Sequence, residues 1–327
     1  MTRATGVGSL PGVDFSEACR VVLGEFSDFP HLPELPGRGV IAGMTGRALA
    51  MIDDLGFDLQ PAGWRLTDAP GVDHRRAKSL LAQDLDTFEE LTQGYAGPLK
   101  IQVAGPWTVA ATTERPRGDR LLADVGARRE VAEALALGVS AHIADVQRRV
   151  PGAELHLQID EPALPAVMAG SIPTASGFHR HRSVDTPLAV GLLAPLFEAI
   201  RAAGVCSTAH CCADAPPLDL FRTAGADALS LDVTHLSAAT YEPLGSLLDD
   251  GQPVYLGVVG TSPVEVISDA RIIERVRRLL DMLGFAAEDV ADQLILTPAC
   301  GLANANPAEV RTVMRTLSGA ARGISEG

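Results

Sequence analysis

The stretch Val205-Cys206-Ser207-Thr208-Ala209-His210-Cys211-Cys212 begins as a short β-branched and apolar run and ends on side chains that bind metals. Residues two apart on a strand face the same side, so His210 and Cys212 project together while Cys211 points away. Similar runs recur at 4–9, 26–31, 99–104, 154–159, 228–232, 254–259 and 294–297, which with 205–210 makes eight candidate strands. Prolines at 30, 33 and 36 crowd the second of these and favour extended or turn structure there. Between the strands, apolar residues at three-and-four spacing predict helices over 15–23, 77–92, 121–149, 188–203, 270–283 and 307–321. Asp14 is placed to cap the first, and Asn306 with Pro307 to open the last. Residues 37–60 read as partly helical, and 65–73 and 172–184 as loops. Short strands alternating with longer helices specify a parallel sheet with helices on its outside. Eight such units point to an α/β fold, a (β/α)8 TIM barrel, which takes about 250 residues and tolerates insertions. No repeat, low-complexity run or linker divides residues 1–327, so a single catalytic barrel is expected.

In such barrels the C-terminal strand ends carry the active site. The eighth run ends in Thr297-Pro298-Ala299-Cys300-Gly301-Leu302 and delivers a second thiol from across the barrel mouth. The sixth ends in Leu231-Asp232-Val233-Thr234-His235 and offers Asp232 or His235 as a further ligand. Two thiolates, an imidazole and one more donor make a normal zinc shell. Free cysteine is also among the most buried residue types, and Cys19 and Cys206 read as core. The fourth run ends in Gln158-Ile159-Asp160-Glu161-Pro162-Ala163. Adjacent carboxylates point to opposite faces: one meets the pocket, where it suits an ammonium group, and the other binds a neighbouring loop or caps a helix. After the first run, Gly6-Val7-Gly8-Ser9-Leu10-Pro11 offers exposed amides for a carboxylate, without the spacing of a phosphate loop. Gly105-Pro106-Trp107-Thr108 is another turn near the mouth, with Trp107 either packing or stacking on a ligand.

The bulk properties narrow the partners. A formal net charge of -14 argues against nucleic acid and anionic membranes, since both need a basic surface. The first eleven residues lack a signal-peptide core, and no stretch has the roughly 18 apolar residues of a membrane span. A cytoplasmic protein is expected. Five cysteines, an odd number clustered about one point, do not form a disulfide framework.

The motifs Gly8-Ser9-Leu10-Pro11, Gly105-Pro106-x-Thr108, Gln158-Ile159-Asp160-Glu161-Pro162-Ala163, His210-x-Cys212 and Pro298-x-Cys300-Gly301-Leu302 together resemble the catalytic C-terminal barrel of cobalamin-independent methionine synthase. They occur in that family's order, from residue 8 to 302. The resemblance implies a zinc-dependent methyltransferase that methylates homocysteine to methionine, with His210, Cys212 and Cys300 as zinc ligands and Asp232 where the family has a glutamate. It further implies that Asp160 binds the substrate amino group and orients the sulfur, and that Gly8 and Ser9 hold the carboxylate end; Glu161, next to Asp160, is counted with them as a substrate-binding candidate. Departures bear on the methyl donor. Gly260-Thr261-Ser262-Pro263 lacks the family's histidine, Ala299 replaces an aspartate, and the additional N-terminal barrel of the long synthases is absent. The chain is similar to the short single-barrel relatives, for which methyltetrahydrofolate or a corrinoid protein supplies the methyl group. The same departures keep open a catalytically degenerate zinc- or thiol-binding homologue. A tetrapyrrole decarboxylase of the same fold would need arginine in the first turn, and residues 6–12 contain none.

Overall fold

The apolar runs pair in parallel. In a computed structural model, which describes residues 1–236 and 238–325 without the side chains of His235, Ala238 and Ala239, seven strands form one curled sheet. They are β1 (Arg3–Ala4), then, after a separate antiparallel hairpin of β2 (Gly56–Gln60) and β3 (Gly63–Thr67), β4 (Gly97–Ala104), β5 (Ala153–Asp160), β6 (Cys206–Cys211), β7 (Ala228–Asp232), β8 (Val254–Val259) and β9 (Leu294–Pro298). The order is β1-β9-β8-β7-β6-β5-β4.

The expected strand over 26–31 does not form, because the helix Phe15–Glu25 runs up to Phe26 and Pro30 and Pro33 have no amide hydrogen to donate to a ladder. Residues 30–34 still close the ring. Leu32 N donates to Lys100 O at 2.8 Å and Lys100 N to Pro30 O at 3.0 Å on the β4 side. On the other side, Glu34 N donates to Gly8 O at 3.1 Å and Leu10 N to Glu34 O at 2.8 Å. The result is a TIM-like barrel in which one of the eight staves is irregular.

Helices pack outside, against Leu99, Ile101 and Val103 of β4 and their equivalents, all buried. Inward-facing positions are unusually polar. Adjacent strands place Asp160, His210 and Ser230 in register across β5, β6 and β7. The N-terminal end is sealed by Phe29, Ala228, Tyr255 and Ile295, and the Phe29 ring meets His156 edge-on at 4.8 Å.

Capping follows the sequence in two helices and corrects it in a third. Asp14 accepts from Glu17 N at 3.0 Å, and Asn306 Oδ1 from Ala308 N and Glu309 N at 3.0 Å. The single helix expected over 121–149 breaks at Asp124, whose carboxylate accepts from Ala127 N and starts the helix Val125–Arg149. The β2–β3 hairpin and the helices Leu218–Ala224 and Ala238–Asp249 were not expected from periodicity. The 172–184 segment is a loop, as expected. No described helix is long and apolar enough to cross a membrane.

Candidate active site

Three metal-competent side chains meet at the barrel mouth. The ligand atoms of His210, Cys212 and Cys300 lie within 4.8 Å of one another. Donors about 2.0–2.3 Å from a tetrahedral zinc stand about 3.5 Å apart, so small side-chain adjustments suffice to share one ion. His210 Nδ1 sits 2.8 Å from Ser230 Oγ, which fixes the ring, while its buried Nε2 has no hydrogen-bond partner. A buried polar nitrogen without a partner is costly, and His210, Cys212 and Cys300 together could hold a metal ion here. The Cys212 and Cys300 sulfurs approach to 3.0 Å. The hydrogen bond from Cys212 holds the Cys300 thiol down, to about 4, and the Cys300 sulfur in turn holds Cys212 well above the ordinary range. The two sulfurs therefore differ in how readily each gives up its proton. Cys211 faces the other way, and burial pushes its thiol up to about 12.

Asp232 stands apart from these three. Its Oδ1 accepts from Thr234 N at 2.7 Å and Thr234 Oγ1 at 2.6 Å, capping the turn Val233–His235. The side chain of His235, the alternative ligand, lies outside the described residues.

Beside the sulfurs is a cavity of about 280 Å³, lined among others by Gly8, Ser9, Glu34, Gln102 and Asp160. Asp160 is buried, and Gln158 Nε2 donates to its Oδ1 at 2.7 Å. Burial pushes its carboxyl up to about 7, against the pull of His210 and of Lys100. Burial likewise pushes Lys100 down, to about 8. Each shift favours the neutral form of its group. Ser9 is pinned against the Cys300 segment: Leu302 N donates to Ser9 O at 2.8 Å, and a Cβ at Gly301 would collide with Ser9 Oγ. That close approach is why glycine follows Cys300.

Glu161 and Trp107 do other work. Glu161 Oε1 accepts from Trp107 N at 2.9 Å, and Oε2 from Thr108 N at 2.7 Å and Thr108 Oγ1 at 2.6 Å. It caps the helix Pro106–Thr112 from below, and a Cβ at Gly105 would collide with it. Burial pushes its carboxyl up to about 7 despite these donors. Of the openings left by sequence, the structure selects the cap, and the structure does not place Glu161 among the residues lining the cavity. Trp107 packs: it is fully buried, and its Nε1 donates to Ala189 O at 3.0 Å. Glu161→Ala should leave two amides and a hydroxyl without an acceptor, costing about 2–4 kcal/mol. Thermal unfolding should show Tm lower by about 3–6 °C, and an unchanged Tm would refute the capping role.

Several residues escaped the sequence reading, Ser230 and Gln102 among them, and two others carry charge. Glu34, in the proline-rich closing segment, reaches the cavity and is held by Arg47 Nε at 3.2 Å, part of a buried chain running through Asp84 to Arg38. Lys100 lies inside the barrel. The alternation of Lys100 and Gln102 with Leu99, Ile101 and Val103 was the available signal for a polar inner face.

Residues 82–323 match the family model described as "Cobalamin-independent synthase, Catalytic domain". A solved structure of a B12-independent methionine synthase from Shewanella sp. W3-18-1 is similar over 100% of this chain and 98% of its own, with TM-score 0.64 and 14% identity. Methylaspartate ammonia lyase from Clostridium tetanomorphum is similar at TM-score 0.50 and 11% identity, over 99% of this chain and 59% of its own. At such identities these two likenesses speak for the fold. No curated protein sequence matches. The family match spans β4, β5, β6, β7, β8 and β9, and so includes Asp160, His210, Cys212 and Cys300, the residues that meet at the mouth. The chain belongs to the cobalamin-independent synthase catalytic-domain family.

Proposed function

We propose that the chain is a zinc-dependent thiol methyltransferase that converts homocysteine to methionine. The observation that carries this reading is the His210–Cys212–Cys300 cluster with its unpartnered His210 Nε2, opening onto a cavity of amino-acid size. The donor set, two soft sulfurs and an imidazole, suits zinc. When bound, zinc supplies Lewis acidity that keeps a coordinated substrate thiol deprotonated near neutral pH. The family's description as cobalamin-independent favours methyltetrahydrofolate over a corrinoid protein as donor.

The chain's own residues bind and aim the substrate. Asp160 receives the ammonium group, and Ser9 with the Gly8 turn receives the carboxylate. Held at both ends, homocysteine directs its sulfur toward Cys212 and Cys300, which replaces a random encounter with a fixed approach. Asp232 is proposed as the fourth, exchangeable ligand. To serve, it must release Thr234, a bond the structure places at an exposed position. Ser230 sets the imidazole's orientation from behind, and partners of this kind are worth about 10–100-fold in metal affinity. Ser230→Ala should therefore weaken zinc retention by about that factor in a chelator competition, and unchanged retention would remove Ser230 from the site.

The decisive assay measures methyl transfer to homocysteine by the metal-loaded chain, with methyltetrahydrofolate and methylcobalamin offered separately. Turnover with the folate alone confirms the proposal. Turnover with methylcobalamin alone reverses the donor assignment, and none with either removes the reaction.

A further inference from the structure

Between the sulfurs and the aromatic seal lies a charge that the scheme above leaves idle. Lys100 is fully buried on β4, a rare situation for lysine. Barrel interiors are ordinarily filled by branched apolar residues. Its Nζ donates to Val7 O at 2.8 Å and to Gln102 Oε1 at 3.2 Å. The Val7 carbonyl also accepts from Gln158 Nε2 at 2.9 Å, the same nitrogen that donates to Asp160 Oδ1. Gln102 Nε2 donates to Leu32 O at 2.8 Å. One ammonium and two amides thus tie together the turn at residues 7–9, the closing segment at 30–34 and the Asp160 carboxylate. The carboxyl groups whose charge bears on Lys100 are Asp160 and Glu34, both of which line the cavity.

We propose that Lys100 is a positioning residue. It holds the Val7 carbonyl, and through it the Gly8–Ser9 turn and the Gln158–Asp160 pair, where an amino acid's carboxylate and ammonium are received. This rests on the reading of the cavity as a homocysteine site. Lys100 touches no substrate atom; it acts by preventing the turn and Asp160 from relaxing apart once both are desolvated.

The test compares homocysteine with 4-sulfanylbutanoate, the same thiol acid without its amino group, using zinc-loaded wild type, Lys100→Met and Gln158→Leu. Lys100→Met should retain zinc, raise KM for homocysteine about tenfold or more and leave kcat within about threefold. The preference for homocysteine over the analogue, as a ratio of kcat/KM, should fall about tenfold. Gln158→Leu, which releases Asp160 directly, should show the same loss, and Lys100→Gln decides the matter should Lys100→Met not fold. An undiminished preference in a folded, zinc-loaded variant overturns the assignment, as does an equal loss toward both thiols, which marks a merely structural role. Wild type that uses neither thiol overturns the homocysteine reading and this inference together, whereas a discriminating wild type with equally discriminating variants overturns this inference alone.

Discussion

Replacing Cys300 with serine should strip the chain of its metal. Wild type should carry about one zinc per chain by elemental analysis, and Cys300→Ser less than about a tenth of that after dialysis against a chelator. Removing only the partner behind a metal ligand costs about 10–100-fold in affinity, so losing a ligand itself should cost about 10³-fold or more. The serine hydroxyl does not ionise at neutral pH and is a poor match for zinc beside a thiolate. Cys212 would then face a neutral hydroxyl across the present 3.0 Å sulfur contact, and the site would offer one sulfur donor in place of two. Methyl transfer should fall by about 10³-fold or more in parallel. Cys211→Ala is the matched control, because Cys211 is one residue along β6 and faces away from the cluster. It should keep its zinc. A Cys300→Ser protein that retains a full equivalent, or a Cys211→Ala protein that loses it, would dismantle the proposed centre.

The contrast between Cys211 and Cys212 shows why this part of the site was legible in the sequence. Strand parity is local, so His210-x-Cys212 announces its own geometry, and Cys300 follows from the rule that barrel strands end at the active face. Asp160 and Glu161 were separable by the same parity, but only as facing and not facing the pocket. What Glu161 faces depends on a helix start more than fifty residues earlier in the chain, and the clue was the Gly105-Pro106 pair, a glycine that permits contact followed by a proline suited to a first helical turn. Glu34 was illegible for a physical reason. Its position is set by two ladders, to Gly8 on one side and through Leu32 to Lys100 on the other, while the prolines at 30, 33 and 36 leave its segment without periodicity. The β2–β3 hairpin differs again. Phe57 and Leu59 alternate with Asp58 and Gln60, and Trp64 and Leu66 with Arg65 and Thr67, so the strand signal was present and the helical reading of 37–60 hid it. The actual helix there, Met44–Ala50, ends before the hairpin begins.

Asp160→Asn should lower kcat/KM for homocysteine by about 10²–10³-fold, mostly through KM. Asparagine keeps the shape and can still accept from Gln158, so the turn and cluster stay in place, and the loss isolates the charge. A charged hydrogen-bond partner in a desolvated site is worth about 3–4 kcal/mol when its counterpart is left buried and unpaired, which at about 1.4 kcal/mol per decade gives the expected range. The pH dependence supplies the sign. Burial raises the Asp160 carboxyl to about 7, and only the carboxylate binds an ammonium. Wild-type kcat/KM should therefore fall as pH drops through about 7 and level off above it, because binding is strongest where Asp160 is already ionised. In Asp160→Asn that step should vanish, leaving a low and flatter profile. Proton competition for the thiolate ligands also weakens activity in acid, so zinc content must be measured at each pH. A step that persists in Asp160→Asn while zinc stays bound would assign the titration to another group, and a wild-type rate constant across pH 6–8 would deny Asp160 the ammonium altogether.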